Sequence, residues 1–346
     1  MNGASLSERF FQEYVHPLLS NRYSALLPAL SAAILGDGSE VLGYDDEISH
    51  DHNFCPRVIV FVPDERFGAV GESLRQALVE AAPPSYLGFP LLYDDVRKFI
   101  EVVPRQQFFL DYLQIPTFPT TAREWLKLDE QRLVELSGGR IFFDPQGRLA
   151  EIRQRLAFYP PAVRYFLLHQ GFVRLSEVGA IERAIWRGDF IAMELYRSFF
   201  IYFAIKVFHL LQRAHCPYRK WMGKSLERFG EDGLRMKAAV EALAQENDLT
   251  QVSRRVHEIL ALVAEPLLLE LGTPQANLVE ESQLHLLNFA WGTVLAALRQ
   301  QIPPDLRDLP ALVTPVTFWG IIFDISGLGG TYERALDENL RFLRVG

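Results

Sequence analysis

Apolar residues follow two different patterns along the chain, with a change at about residue 116. In the N-terminal part, short apolar runs that end at Gly or Pro predict buried strands. These runs lie at 30–36, 57–63 and 99–103. Helical periodicity in the same region predicts helices over 4–20 and 67–81. The N-terminal part is therefore expected to combine a small sheet with helices.

Beyond Pro116 and Pro119, the periodicity is helical almost throughout. Thr121 and Glu124 have the spacing of a capping box, which predicts a helix that begins there and ends at Gly138–Gly139. Further helices are predicted over 162–176, 180–215, 218–229, 232–246, 250–271, 278–301 and 331–344. The apolar segment 313–325 carries Pro315 and favours neither a helix nor a strand.

These patterns predict an α+β fold that is mostly helical. A small α/β domain with a mixed sheet would span residues 1–116 and pack on an all-α helical-bundle domain over 117–346. A chain of 346 residues is long enough for two such domains, each with its own core.

Composition and charge narrow the classes of partner. The chain carries 43 acidic and 35 basic residues, a formal charge of −8, and this balance disfavours a long nucleic acid, which needs a basic surface. The most apolar stretch, Phe190 to Gln212, contains three charged residues, so a buried helix is expected rather than a membrane span. Two distant cysteines predict no disulfide framework. We expect a soluble, cytoplasmic protein with no membrane partner.

Candidate chemistry is concentrated between Gly38 and Val62. A Gly38–Ser39 turn follows the first predicted strand, and its backbone N–H groups and the Ser39 hydroxyl can cradle a triphosphate. Asp51 and Asn53 precede the second strand at a spacing that places alternate side chains on one face. Oxygen ligands on one rigid face are what Mg²⁺ needs for nucleotidyl transfer. Glu101, on a neighbouring predicted strand, is the third carboxylate that can bind the metal or accept a proton.

This run resembles the DNA-polymerase-β-like nucleotidyltransferase superfamily, and more closely a bacterial family of unknown function within it that has a helical C-terminal domain. The resemblance rests first on the run Gly38-Ser39-Glu40-Val41-Leu42-Gly43-Tyr44-Asp45 and on Ser49, Asp51, His52, Pro56 and Arg57. It continues at Phe143-Asp144-Pro145, Tyr159-Pro160, Gly188-Asp189 and Pro217-Tyr218-x-Lys220-Trp221.

The resemblance implies a nucleoside triphosphate bound between an α/β catalytic domain and a helical domain. Asp51 and Glu101 would be the catalytic residues, and Asp51, Asn53 and Glu101 would bind Mg²⁺. The residues expected to bind the nucleotide are Gly38, Ser39, Ser49, Tyr218, Lys220 and Lys224. The expected reaction transfers a nucleoside monophosphate to a hydroxyl group of a small molecule or a protein.

Simpler interpretations stand beside these assignments. Glu101 is as well explained as an exposed residue on a strand face. Asp51 has a simpler interpretation as a solvated loop acid, but the resemblance favours a metal ligand at this position. Tyr218 and Trp221 can belong to the core at the start of a helix, with Lys220 and Lys224 in solvent.

The important departure from the family pattern is Asn53, which stands where an aspartate is usual; Cys55, where glycine is usual, is a smaller one. The Asn53 amide is neutral and a weaker magnesium ligand than a carboxylate, so one unit of ligand charge is lost. The alternative function is therefore a catalytically impaired nucleotide-binding or protein-interaction module.

Overall fold

A computed structural model describes residues 2–50, 54–91, 98–273 and 289–307. The chain forms two compact units that are not contiguous in sequence. The first comprises Met1–Phe118 and Arg132–Ala157, and the second comprises Pro119–Gln131 and Phe158–Gly346.

The strands within the described ranges are β1 (Ser31–Ile34), β2 (Val58–Val62), β3 (Ser85–Tyr86), β4 (Phe89–Pro90), β5 (Ile100–Pro104) and β6 (Arg140–Phe143). The α-helices there are α1 (Gly3–Phe10), α2 (His16–Arg22), α3 (Ser39–Leu42), α4 (Asp64–Glu80), α5 (Arg105–Leu113), α6 (Ala122–Trp125), α7 (Glu130–Ser137), α8 (Arg148–Leu156), α9 (Pro161–Leu175), α10 (Gly179–Trp186), α11 (Phe190–Leu211), α12 (Arg219–Ser225), α13 (Gly230–Gln245), α14 (Leu249–Glu270), α15 (Trp291–Gln301) and α16 (Pro304–Arg307). A π-helical segment, Phe11–Val15, joins α1 to α2. The expected α+β, mostly helical fold is confirmed.

The four-stranded sheet of the first unit has the order β5-β2-β1-β6. β1 pairs antiparallel with β2 and with β6, whereas β2 pairs parallel with β5. The sheet is therefore mixed, as predicted, and the three predicted strands correspond to β1, β2 and β5. β3 and β4 form a separate antiparallel ribbon.

β2 is buried on both faces, which explains its uninterrupted apolar sequence. Val58, Val60 and Val62 join the core that also includes residues of α1 and α4. Phe61 points to the opposite face, where its ring lies 5.3 Å from Phe108 and 6.2 Å from Phe109 of α5, measured between ring centroids.

β6 lies in the region that the sequence predicted to be entirely helical. α7 ends before Gly138–Gly139, and Gly139 has a left-handed φ of 68°, so the chain turns back instead of continuing as a helix. Phe142 and Phe143 then pack against Phe11, with ring centroids 5.8 and 6.2 Å away. The predicted boundary at 116 thus matches only the first passage of the chain between units, since 132–157 belongs to the first unit.

Two predicted helices are each divided in two. The capping box at Thr121 and Glu124 is present, but α6 ends at Trp125, and the Asp129 carboxylate accepts a hydrogen bond from the Gln131 amide (2.8 Å) where α7 begins. The helix predicted over 180–215 breaks at Gly188–Asp189. Gly188 has φ 67°, and the Asp189 side chain caps α11 by accepting from the Ala192 amide (3.0 Å).

The core of the second unit is formed mainly by α9, α11, α13, α14 and α15. Its fully buried side chains include Phe172, Phe203, Met236, Val256, Ile259 and Leu298. Among the helices in the described ranges, none combines the length and apolar character that a membrane crossing requires. The helix predicted over 331–344 and the segment 313–325 lie outside the described residues, and of 278–301 the described helix is α15.

Candidate functional site

The sheet topology brings three chain segments to the same end of the four-stranded sheet. Because β1 runs antiparallel to β2, the end of β1 lies beside the start of β2; because β5 runs parallel to β2, the start of β5 lies there too. The Gly36–Ser39 turn leaves β1 at this end, Arg57 precedes β2, and Glu101 is the second residue of β5. The turn and Glu101, two of the predicted site components, therefore lie at the same end of the sheet, with β2 between the strands that carry them.

The turn has a conformation that requires glycine. Gly38 has φ 126°, in the left-handed region, and it is the N-cap residue of the short helix α3, which Ser39 begins. A Cβ atom added at Gly38 would lie 2.5 Å from the Glu40 carboxylate. A side chain at position 38 is thus disfavoured by the backbone conformation and would also require the Glu40 carboxylate to move.

Arg57 ties this turn to the sheet. Its Nη2 donates to the carbonyl oxygen of Asp37 (2.5 Å), and its Nε lies 3.0 Å from Glu40 Oε1. Its own backbone amide donates to the Ser7 hydroxyl of α1 (2.9 Å). Burial alone would lower the pKa of Arg57, but the carboxylates of Glu40 and Asp37 raise it overall. A fixed cation therefore lies between the turn and β2.

Glu101 lies on the same face of the sheet as Arg57. Glu101 is the register partner of Ile59, and alternate residues 57 and 59 of one extended segment face the same side. The carboxylate is partly buried; burial raises its pKa, while Lys98 and Arg57 act to lower it. It is therefore a half-buried acid beside a cation, and a stronger base than a fully solvated glutamate.

The other side of the turn is fixed by a second network. The Gly36 amide donates to the carbonyl oxygen of Glu135 (3.2 Å), and the Tyr112 hydroxyl donates to the Glu135 carboxylate (2.6 Å). Burial first, and then Glu135, raises the pKa of Tyr112, so the phenol stays protonated. The guanidinium of Arg132 lies 5.8 Å from the centre of the Tyr112 ring. The turn is thus held on both sides by polar groups that are buried or half-buried.

The sequence did not identify these supporting residues. Glu40 and Arg57 belong to the motif without a predicted role, and Asp37, Tyr112 and Glu135 are not predicted as site residues. Arg57 and Ile59 are two residues apart and so share a face of the extended segment. This spacing is the signal in the sequence that could have placed Arg57 on the same face as Glu101.

Ser49 forms a closed turn with Asp46. Its backbone amide and hydroxyl both donate to the Asp46 carboxylate, at 3.0 and 3.1 Å, and these bonds lower the pKa of Asp46. The predicted nucleotide contact of Ser49 would have to form beside this turn.

The predicted metal ligands Asp51 and Asn53 lie outside the described residues. Within the described ranges, no group of three or more His, Cys, Asp or Glu side chains could hold a metal ion. Glu101 alone does not make a metal centre, so the metal assignment depends on Asp51 and Asn53.

The remaining predicted contacts, Tyr218, Lys220 and Lys224, belong to the second unit. The Tyr218 amide donates to the Gln131 side chain (2.9 Å), and the exposed Lys220 ammonium lies 4.9 Å from the Trp221 ring centroid. Lys224 is also exposed and pairs with Glu227 (2.6 Å). Both lysines are open to solvent, and Lys224 would have to exchange its partner to bind a phosphate.

The second unit also contains a buried ion pair. Lys206 and Glu130 are both 5% exposed and form an ion pair, and Glu130 also accepts the Cys216 amide (3.1 Å). Burial alone would raise the pKa of Glu130, but Lys206 lowers it overall. The pair is surrounded by protein, and its arrangement is that of a structural contact between helices.

Residues 125–222 match a family model described as a domain of unknown function, DUF4037. The match includes Glu130, Lys206 and Tyr218 and does not include the Gly38–Val62 run. No curated protein and no solved structure matches the chain.

Proposed function

We propose that the protein is a nucleotidyltransferase that transfers a nucleoside monophosphate from a nucleoside triphosphate to a hydroxyl acceptor. The observation that supports this proposal is that a Gly-Ser turn, fixed by Arg57, and a half-buried carboxylate, Glu101, lie at the same end of one sheet, on strands separated by β2. Asp51 precedes Arg57 by six residues in the sequence.

The chain's own groups suit distinct parts of the reaction. The Glu101 carboxylate accepts the proton of the acceptor hydroxyl as its oxygen bonds to the α-phosphorus. The bond from the α-phosphorus to the bridging oxygen breaks, and pyrophosphate leaves with that electron pair. The Gly38–Ser39 turn orients the triphosphate, and Arg57 keeps the turn in place.

The proposed ligands of Mg²⁺ are Asp51, Asn53 and Glu101. When bound, the ion would supply positive charge beside the phosphates. Among these residues only Glu101 is described, so the ligand set is a matter for mutagenesis.

The acidic net charge favours a small molecule or a protein as acceptor over a long nucleic acid. The two free cysteines are buried, which fits the reducing cytoplasm as the proposed location.

The test uses the full chain, nucleoside triphosphates labelled at the α-phosphate, Mg²⁺, and separate small-molecule and protein fractions as acceptors. We expect labelled product and pyrophosphate, with a loss of about 100-fold or more in Glu101→Gln and Asp51→Ala. Glu65→Gln, an exposed residue of α4, is the matched control and should retain full activity. Equal activity in Asp51→Ala and the wild type would overturn the proposal.

The alternative, a nucleotide-binding module without turnover, is favoured by Asn53, whose neutral amide stands where an aspartate is usual. Calorimetry would then show saturable nucleotide binding, while no pyrophosphate forms. Asn53→Asp separates the two functions, since restored ligand charge should create activity only in a nearly intact catalytic site.

A further inference from the structure

A small cavity of about 70 Å³ lies in the second unit, between α9 and the pair α15–α16. Its polar lining consists of His169, Gln170, Arg299 and Arg307, and its apolar lining includes Phe166 and Ile302. The lining residues include two guanidinium groups and no carboxylate, so the local charge is positive although the whole chain is acidic.

Neither arginine is neutralised within the described part of the chain. Arg307 donates through Nε and Nη2 to the carbonyl oxygens of Ile302 and Gln300, which hold the guanidinium in place without cancelling its charge. Arg299 forms no ion pair with any described residue. Two guanidinium groups that line one cavity suit an anionic ligand with several oxygen atoms.

Two further polar groups at the cavity have unmet hydrogen-bonding capacity. Nδ1 of His169 has no hydrogen-bond partner among the described residues. Gln170 is 3% exposed, and its Oε1 also has no partner there; as an acceptor, it can pair only with a protonated oxygen of a phosphate. Buried polar atoms without partners are uncommon in folded proteins. Burial, with help from Arg299, lowers the pKa of His169, so its neutral ring can donate one hydrogen bond and accept another.

The size of the cavity limits its ligand. One water needs about 10–15 Å³ of such volume, and cofactor-sized ligands need about 300 Å³ or more. A volume of about 70 Å³ fits an ion of a few heavy atoms.

We propose that this cavity binds a tetrahedral oxyanion of the phosphate class through Arg299, Arg307 and His169. The ion is either free phosphate or the phosphate end of a larger molecule. This inference is independent of nucleotidyl transfer, because it uses none of the residues of the candidate active site.

The test is calorimetric titration of the full chain with inorganic phosphate at constant ionic strength. We expect saturable binding and a Kd that rises about tenfold or more in Arg299→Gln and in Arg307→Gln, since each loses a charge-assisted contact. Arg183→Gln, an exposed arginine of the same unit, is the matched control and should leave the Kd unchanged. The imidazole resonances of His169, assigned with His169→Gln, should shift during the titration.

A second titration with glycerol phosphate separates the two sources of phosphate. Tighter binding of this monoester identifies the phosphate end of a larger molecule, and tighter binding of inorganic phosphate identifies the free ion. Absence of saturation up to about 10 mM, or equal Kd values in Arg299→Gln and the wild type, overturns the proposal. Because the Arg299 side chain makes no hydrogen bond to a described residue, its variant should fold even if Arg307→Gln does not.

Discussion

Buried ionisable side chains determine how this protein responds to pH and to single substitutions. His209 is fully buried in α11, with Nδ1 2.9 Å from the carbonyl oxygen of Ile205 and Nε2 2.8 Å from the Ser225 hydroxyl. Burial lowers the pKa of His209 to about 4 from its ordinary value of 6.5. The folded protein therefore keeps this imidazole neutral at pH values where the unfolded chain protonates it.

We expect the free energy of unfolding to fall as the pH falls from about 6.5 to about 4, because the unfolded state binds the extra proton in that window. The contribution of His209 is about 3 kcal/mol. Urea titrations at several pH values should show a shallower pH dependence for His209→Asn than for the wild type. His16→Asn, in α2 of the first unit, is the control; identical slopes for His209→Asn and the wild type would contradict the prediction.

The Glu130–Lys206 pair predicts a large effect of a single substitution. Glu130→Ala would leave a buried ammonium without its partner, which costs about 3–5 kcal/mol. Chemical denaturation measures this loss, with Glu231→Ala, an exposed residue of α13, as the control. A loss below about 1 kcal/mol would mean that the Lys206 ammonium reaches solvent or another partner.

At the scale of elements, the sequence predicts most helices and three strands of the main sheet. β1, β2 and β5 are apolar runs with clear ends, so the local sequence pattern is enough to predict them as strands. β6 has only four residues, begins with the exposed Arg140 and is otherwise half-buried, so it is too short for its local pattern to predict a strand. Its pairing with β1 depends on residues more than 100 positions away, which no local pattern contains.

Gly139 is the point at which α7 gives way to β6. Its φ is 68°, and an added Cβ would lie 1.9 Å from the carbonyl oxygen of Ile34. Gly139→Ala should therefore destabilise the protein by about 1–3 kcal/mol or more. Gly147→Ala is a matched control, because Gly147 has φ 67° with nothing within 4 Å of its added Cβ.

Thermal unfolding compares the two glycine variants. A larger decrease in Tm for Gly139→Ala isolates the cost of the steric clash from that of the left-handed backbone. Equal decreases would show that β6 can shift away from β1 at little cost.

At the scale of the whole molecule, the sequence anticipates two parts but not their composition. Residues 132–157 belong to the first unit, although the sequence assigned them to the helical domain. A single boundary in the sequence therefore cannot separate the two units. The predicted site residues Gly38, Ser39 and Glu101 lie at one end of the sheet, and their role stays a prediction. The support from Arg57, Tyr112 and Glu135 could not be predicted, because hydrogen-bond partners distant in sequence follow from the tertiary fold.

A fragment that ends at Phe118 should not fold as the first unit. Without β6, the backbone groups of β1 on that side have no partner, and Phe11 loses contact with Phe142 and Phe143. Size-exclusion chromatography and amide hydrogen exchange should show aggregation and weak protection for 1–118, and monomeric, protected sheet amides for 1–157. Strong sheet protection in 1–118 would contradict this expectation.

The return of the chain to the first unit also has a consequence during synthesis. The ribosome releases residues from the N-terminus onward, and β1, β2 and β5 emerge long before the strand that completes their sheet. Until residue 143 has left the exit tunnel, the nascent chain exposes an open sheet edge beside the Gly-Ser turn. The sheet that carries the candidate site can therefore be completed only after β6 has emerged from the ribosome. Emergence of the first 118 residues is not sufficient.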